Sequence, residues 1–115
     1  MISETGFMEK GEHFKIAKQR NRGTILVIND KVIFKYEKER ADIEIPFDKI
    51  SDITTPKWRE IKIFLKNGDI YTLSCSLDEI AGRIGVFAPN PVKYLKRKNT
   101  ALYHTLKALL EEYKK

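Results

Sequence analysis

The sequence predicts a mainly β domain of the α+β class, finished by one amphipathic helix, and three observations predict it. Two turn signals, Asn29-Asp30 and Asn67-Gly68, each separate a pair of β-branched, alternating segments. Between these pairs the stretch from Ile43 to Phe47 alternates again. After Ser76 the period changes, and the chain ends in a segment whose leucines recur at helical spacing. A length of 115 residues suits a single core, so residues 1–115 are expected as one domain.

Taken in order, residues 1–11 contain Gly6, Gly11 and mixed charge without a period, and a flexible arm is expected there. A strand array is expected over 12–75. It opens with HFKIAK, where Phe14 and Ile16 alternate with charged neighbours, so His13 to Lys18 reads as a first strand. QRNRG follows as a basic loop. TILVI and KVIFKY form a hairpin about Asn29-Asp30, and Val32, Phe34 and Tyr36 share the face that should meet the core. Pro46 cannot donate a ladder hydrogen bond, so the strand holding Ile43 and Ile45 must be short or at an edge. Ile50 and Ile53 mark the next strand. Glu60 to Lys66 and Asp69 to Cys75 then form a second hairpin, for which Asn67-Gly68 predicts a type I′ turn.

Residues 76–98 read as an insertion. Ser76 with Glu79 matches a capping box, and Leu77, Ile80, Ala81 and Ile84 predict a short helix ending near Gly82 or Gly85. A basic segment follows it. The last element is a helix over 99–115, with Asn99 or Thr100 as cap, a core stripe of Leu102, Leu106, Leu109 and Tyr113, and Tyr103 and Leu110 widening the stripe. The alternative is an earlier start, with Pro91 as the first helical residue.

Three pieces carry a family resemblance. GTILVINDKVIF, from Gly23 to Phe34, is similar to the first hairpin of the prokaryotic and GRAM-like branches of the pleckstrin-homology-like superfold. IEIPFDKISDI, from Ile43 to Ile53, resembles their next segment, and IKIFLKNGDIYTLS, from Ile61 to Ser74, resembles their later hairpin. Asn29 and Lys31 stand where that pattern usually has Thr and Arg, and the stretch from Ser76 to the final helix is an addition to it. The resemblance implies a barrel of about seven antiparallel strands in two bent sheets, closed by the C-terminal helix. It also implies a non-catalytic docking module, with a protein partner or an anionic lipid surface as the expected partner.

Charge narrows the place where such a partner would be met. The net charge is +6, and from Ile80 to Leu110 there are six basic residues and no acid, leaving 16 basic and 16 acidic residues elsewhere. The imbalance therefore belongs to the C-terminal third. KYLKRK supplies Lys93, Tyr94, Lys96, Arg97 and Lys98, suited to an anionic surface or, with Tyr94 for stacking, to a nucleic-acid backbone. Nucleic acid is the less favoured partner, because no helix-turn-helix or RNA-recognition motif accompanies the patch. A second basic group is Lys18, Arg20 and Arg22. In lipid-binding members of the resembled family the corresponding loop grips inositol phosphates with a Lys and an Arg-x-Arg; a solvated charged turn is the other reading. Trp58, between two strands, is either a packed loop residue or an exposed anchor for a protein partner.

Catalysis, metals and cofactors find no support in the sequence. His13 and His104 stand apart from any nucleophile motif, and His104 falls on the polar side of its helix. Cys75 is single, ends a strand and reads as an inert buried thiol, which suits a reducing compartment. No apolar run approaches the roughly 20 residues of a spanning helix, and the N-terminus lacks the pattern of a secretory signal. A cytoplasmic or membrane-peripheral chain is expected. Self-association through an edge strand remains open to such a fold.

Overall fold

The computed structural model describes residues 2–11, 21–55, 60–76 and 91–115, with the side chains of residues 91 and 92 outside that description. Among the described residues, seven strands precede one helix: β1 (Ile2–Lys10), β2 (Arg22–Ile28), β3 (Lys31–Tyr36), β4 (Ile43–Pro46), β5 (Ile50–Thr54), β6 (Ile61–Leu65), β7 (Ile70–Cys75) and α1 (Pro91–Lys114). A single 3-10 turn, Phe47–Lys49, joins β4 to β5. All pairings are antiparallel, and the strands form one continuous sheet in the order β4-β3-β2-β1-β7-β6-β5. The expected division into two sheets is thus replaced by one sheet, whose outer strands β4 and β5 leave it open.

That sheet is nevertheless rolled. Laid flat, seven strands about 4.8 Å apart would hold the outer two about 29 Å from each other. Yet β4 ends at Pro46 and β5 begins at Ile50, a reach of at most about 15 Å along the chain. The roll brings both ends of the sheet onto one core, in which Met8, Ile25, Val32, Phe34, Ile50, Ile53, Ile61, Ile63 and Leu73 are fully buried. Phe34 and Val32 sit on the core face with Tyr36 packed against them, as the alternation of β3 requires.

The first correction concerns residues 1–11. Instead of a flexible arm, β1 lies at the centre of the sheet, pairing with β2 from Ile2 to Phe7 and with β7 from Gly6 to Lys10. Gly6 belongs to this strand for a steric reason. A Cβ there would collide with the Ser74 carbonyl oxygen and stand 2.7 Å from Ile25 Cδ1. Gly23, its partner across β1 and β2, meets the same obstacle in the Lys35 carbonyl, so this glycine pair marks a crease where neighbouring backbones approach closely.

Both predicted hairpins form, with one change of turn geometry. At the first, Asn29 takes a left-handed φ of 55°. At the second, only Gly68 has a positive φ, 96°, and its amide donates to the Leu65 carbonyl at 3.0 Å. Lys66-Asn67-Gly68 is therefore a three-residue loop with glycine at its left-handed position, not a two-residue type I′ turn. The Asn67 side chain accepts from the Asp69 amide at 2.8 Å and fixes the bend. β4 is an edge strand ending at Pro46, as that residue demands. The predicted strand at His13–Lys18 and the short helix after Ser76 lie outside the described residues.

The helix starts at Pro91, eight residues before the expected 99–115 span. Asn99 consequently sits inside the helix and points at the sheet rather than capping. Fully buried, it accepts from the Cys75 amide at 2.8 Å and donates to Ser74 Oγ at 3.0 Å, which ties the helix to the end of β7. Leu102, Leu106 and Leu110 continue the buried stripe, while Leu109 and Tyr113 are exposed. The stripe therefore runs through Leu110, not Leu109, because steps of four residues follow the curved core while Leu109 turns sideways. Burying Leu106 contributes about 1.5–3 kcal/mol. Near the helix end, Lys107 pairs with Asp52 of β5 at 2.5 Å and Lys114 donates to the Ser51 carbonyl at 3.2 Å. Among the described residues, no helix is long and apolar enough to cross a membrane.

Candidate anion-binding face

The first turns of α1 carry their charge against the helix dipole. Lys93 falls in the first turn, Lys96, Arg97 and Lys98 follow it, and the first turn holds no acid. Positive charge at this end destabilises a helix, by about 0.3–1 kcal/mol within the first turn and less beyond it. Glu111 and Glu112 stand at the opposite end, where an acid is equally misplaced. Positive charge gathered at this end adds to the helix dipole in attracting an approaching anion.

Helical spacing sorts these cations. Lys93, Lys96 and Arg97 share one wall with Thr100, Ala101 and His104, and among the described residues these six line a groove of about 480 Å³. Positions three and four apart are neighbours on a helix surface, which is why six residues spread over twelve positions share one face. Lys98 takes a different direction. It reaches β1 and pairs with Glu4 at 3.5 Å, with a quarter of its side chain exposed. Tyr94 lies beside Arg97, whose guanidinium carbon is 6.0 Å from the ring centre, at the outer limit of a cation–π contact.

The remaining predicted contacts do not join this face. Lys18, Arg20 and Trp58 lie outside the described residues. Arg22 begins β2 and pairs with Glu37 through its Nε at 2.9 Å, half-buried beside the backbone bond from the Glu37 amide to the Arg22 carbonyl. Arg22 thus has an intramolecular carboxylate. Nearby, the Arg40 guanidinium lies 3.9 Å over the Tyr36 ring and donates to Asn21 Oδ1 at 3.1 Å. The Tyr36 hydroxyl donates to the Met8 carbonyl at 3.1 Å, and burial pushes its pKa up, with Arg40 pulling the other way. These contacts join β1, β2 and β3 rather than leaving a receptive site.

His104 is exposed, on the polar side of the helix as expected, but it also lines the groove. Thr100, Ala101 and His104 are lining residues that the sequence reading missed. The signal was present: the basic spacing 93, 96, 97 continues as 100, 101, 104 once the helix is extended back to Pro91. Dividing the chain at residue 99 hid it. Cys75 is buried. Among the described residues, no group of three or more His, Cys, Asp or Glu side chains is placed to hold a metal ion.

No family model matches the chain, and no match is found among the curated proteins or the solved structures.

Proposed function

We propose that this protein is a non-catalytic docking module of pleckstrin-homology-like build that attaches to an anionic membrane surface through the opening turns of α1. The observation that carries it is the grouping of Lys93, Lys96 and Arg97 on one helical wall, in turns where cations oppose helix stability. Support for the build comes from seven antiparallel strands rolled around one core with a single C-terminal helix packed on it.

The size of the effect is modest. Each cation near an anionic surface contributes about 1 kcal/mol, so three give about 3 kcal/mol, weaker than a millimolar dissociation constant. Docking therefore needs an added contact, such as a protein partner on the same membrane or a second copy of the chain. Co-sedimentation with vesicles of phosphatidylcholine containing phosphatidylglycerol tests the proposal. Binding should be weak but measurable at 10 mM salt and lost near 1 M, where the screening length shrinks from about 30 to about 3 Å. Binding that ignores salt would assign docking to an apolar protein contact instead. Retention of single-stranded nucleic acid, with no vesicle binding, would transfer the face to the second reading, in which Tyr94 beside Arg97 stacks a base.

A further inference from the structure

We infer that β4 is an edge for strand addition, taking an extended segment of a partner protein in which basic and apolar residues alternate. The two edges of the open sheet differ. On β5, side chains close the edge: Asp52 Oδ1 accepts from the Ile53 amide at 2.8 Å, Lys107 pairs with the same oxygen, and Lys114 donates to the Ser51 carbonyl at 3.2 Å. A bulge between Ile50 and Asp52 also interrupts its ladder. Lysines and bulges of this kind keep a sheet edge from pairing further.

The edge of β4 is left open. The Phe47 amide donates to the Asp30 carbonyl at 2.7 Å, and the register runs on from there to Ile45 opposite Val32 and Ile43 opposite Phe34. Antiparallel bonds fall on alternate residues, so Ile43 and Ile45 bond to β3 while the Glu44 amide and carbonyl point away from it, as do those of Asp42 just before the strand. Among the described residues, no strand or side chain takes these outward groups. Pro46 adds a carbonyl but no amide, which limits the pairing to a few residues.

Charge and polarity name the occupant. Asp42 and Glu44 are exposed, whereas Ile45 is buried and Ile43 is half-buried against the core. Glu37 to Asp48 holds five acids and two basic residues, in a chain of net charge +6. An added strand therefore gains most by setting basic side chains beside Asp42 and Glu44 and apolar ones beside Ile43. Lys31 already pairs with Glu44 from the β3 side at 3.3 Å, and the incoming strand repeats that pairing on the open side. A second copy of this chain fits less well. Antiparallel pairing of β4 with itself through its outward groups sets Glu44 against Glu44, Asp42 against Glu44, or Asp42 against Asp42, and like charges directly opposite destabilise a sheet. The inference stands apart from membrane docking through α1 and is tested without vesicles.

The test is an NMR titration of the isotope-labelled protein with two capped peptides, Lys-Val-Lys-Val-Lys-Val and Glu-Val-Glu-Val-Glu-Val. The basic peptide should shift the amides of Asp42 and Glu44 and slow hydrogen exchange at Glu44. It should bind about tenfold more tightly than the acidic peptide, the value of two cross-strand charge pairs. Asp42→Lys/Glu44→Lys should reverse the preference while the melting temperature stays close to that of wild type. Shifts confined to other surfaces, or equal binding of the two peptides, would overturn the inference. Concentration-dependent dimerisation that protects the same amides would overturn it too, by giving the edge to a second copy.

Discussion

The inward and outward faces of α1 are built to different rules. Inward, Asn99, Leu102, Leu106 and Leu110 are buried, and the one polar member of the set has both of its amide ends hydrogen-bonded to β7. Outward, in the opening turns, Lys93, Lys96 and Arg97 occupy positions that weaken the helix and line a groove. One face is packed against the sheet, and the other gathers cations at the surface. A residue pattern that opposes the helix dipole while concentrating one sign of charge is where a ligand should be sought, because proteins break local rules mainly at functional sites.

Substitutions can separate the two faces. The largest effect belongs to Leu106→Ala, which should cost about 2–5 kcal/mol in urea unfolding by leaving a cavity where helix and sheet meet. An unchanged midpoint would mean that the helix is not docked as described. Next comes Asn99→Ala, which removes the acceptor of the Cys75 amide and the donor to Ser74 and should cost about 1–3 kcal/mol. A cost well below this would make Asn99 a spectator, and the contrast between faces would rest on the leucines alone.

A smaller effect belongs to the ion pair at the closing end of the helix. The hydrogen bond from Lys107 holds the Asp52 carboxyl below its ordinary value, and the same bond raises Lys107. A carboxylate lowered in the folded state stabilises fully above its unfolded value near pH 4, and that contribution fades as pH falls through the lowered value. The Lys107 contribution runs the other way, present below the ordinary lysine range and lost as pH rises through the raised value. Both groups are largely solvated, so screening holds the pair to about 0.5 kcal/mol. Melting temperatures between pH 6 and pH 2 should fall slightly less for Asp52→Asn than for wild type; parallel curves would contradict the pairing. The smallest effect on stability belongs to Arg97→Glu, expected within about 0.5 kcal/mol of wild type. Its effect on binding should be large. Losing one attraction and gaining a repulsion of similar size is worth about 2 kcal/mol, or about thirtyfold in affinity for an anionic vesicle.

How far the sequence revealed this arrangement depended on whether local pattern and tertiary role agreed. The strands β2, β3, β6 and β7 were legible because alternation and turn chemistry both pointed to hairpins. β1 was not, since Gly6 reads locally as a loop residue and is explained only by the Ser74 carbonyl of a distant strand. In the helix, Leu102 and Leu106 were legible from spacing, but the choice between Leu109 and Leu110 depends on the curvature of the surface beneath them. Asn99 misled for a comparable reason: its side chain suits a cap, and only the end of β7 supplies the partners that draw it inward. The cations were visible in sequence, yet their sorting was not. Lys98 leaves the group for Glu4 of β1, a contact no local pattern announces, and Arg22 meets Glu37 across the first hairpin.

The central claim is that the outward face of the opening turns binds while the inward face folds. Its most direct test is to measure the Lys96→Glu/Arg97→Glu double variant by thermal melting and by co-sedimentation with phosphatidylglycerol vesicles at low salt, beside wild type. The account predicts a melting temperature close to wild type together with loss of vesicle binding. A wild-type protein that ignores the vesicles, or a variant that binds them as wild type does, would contradict it.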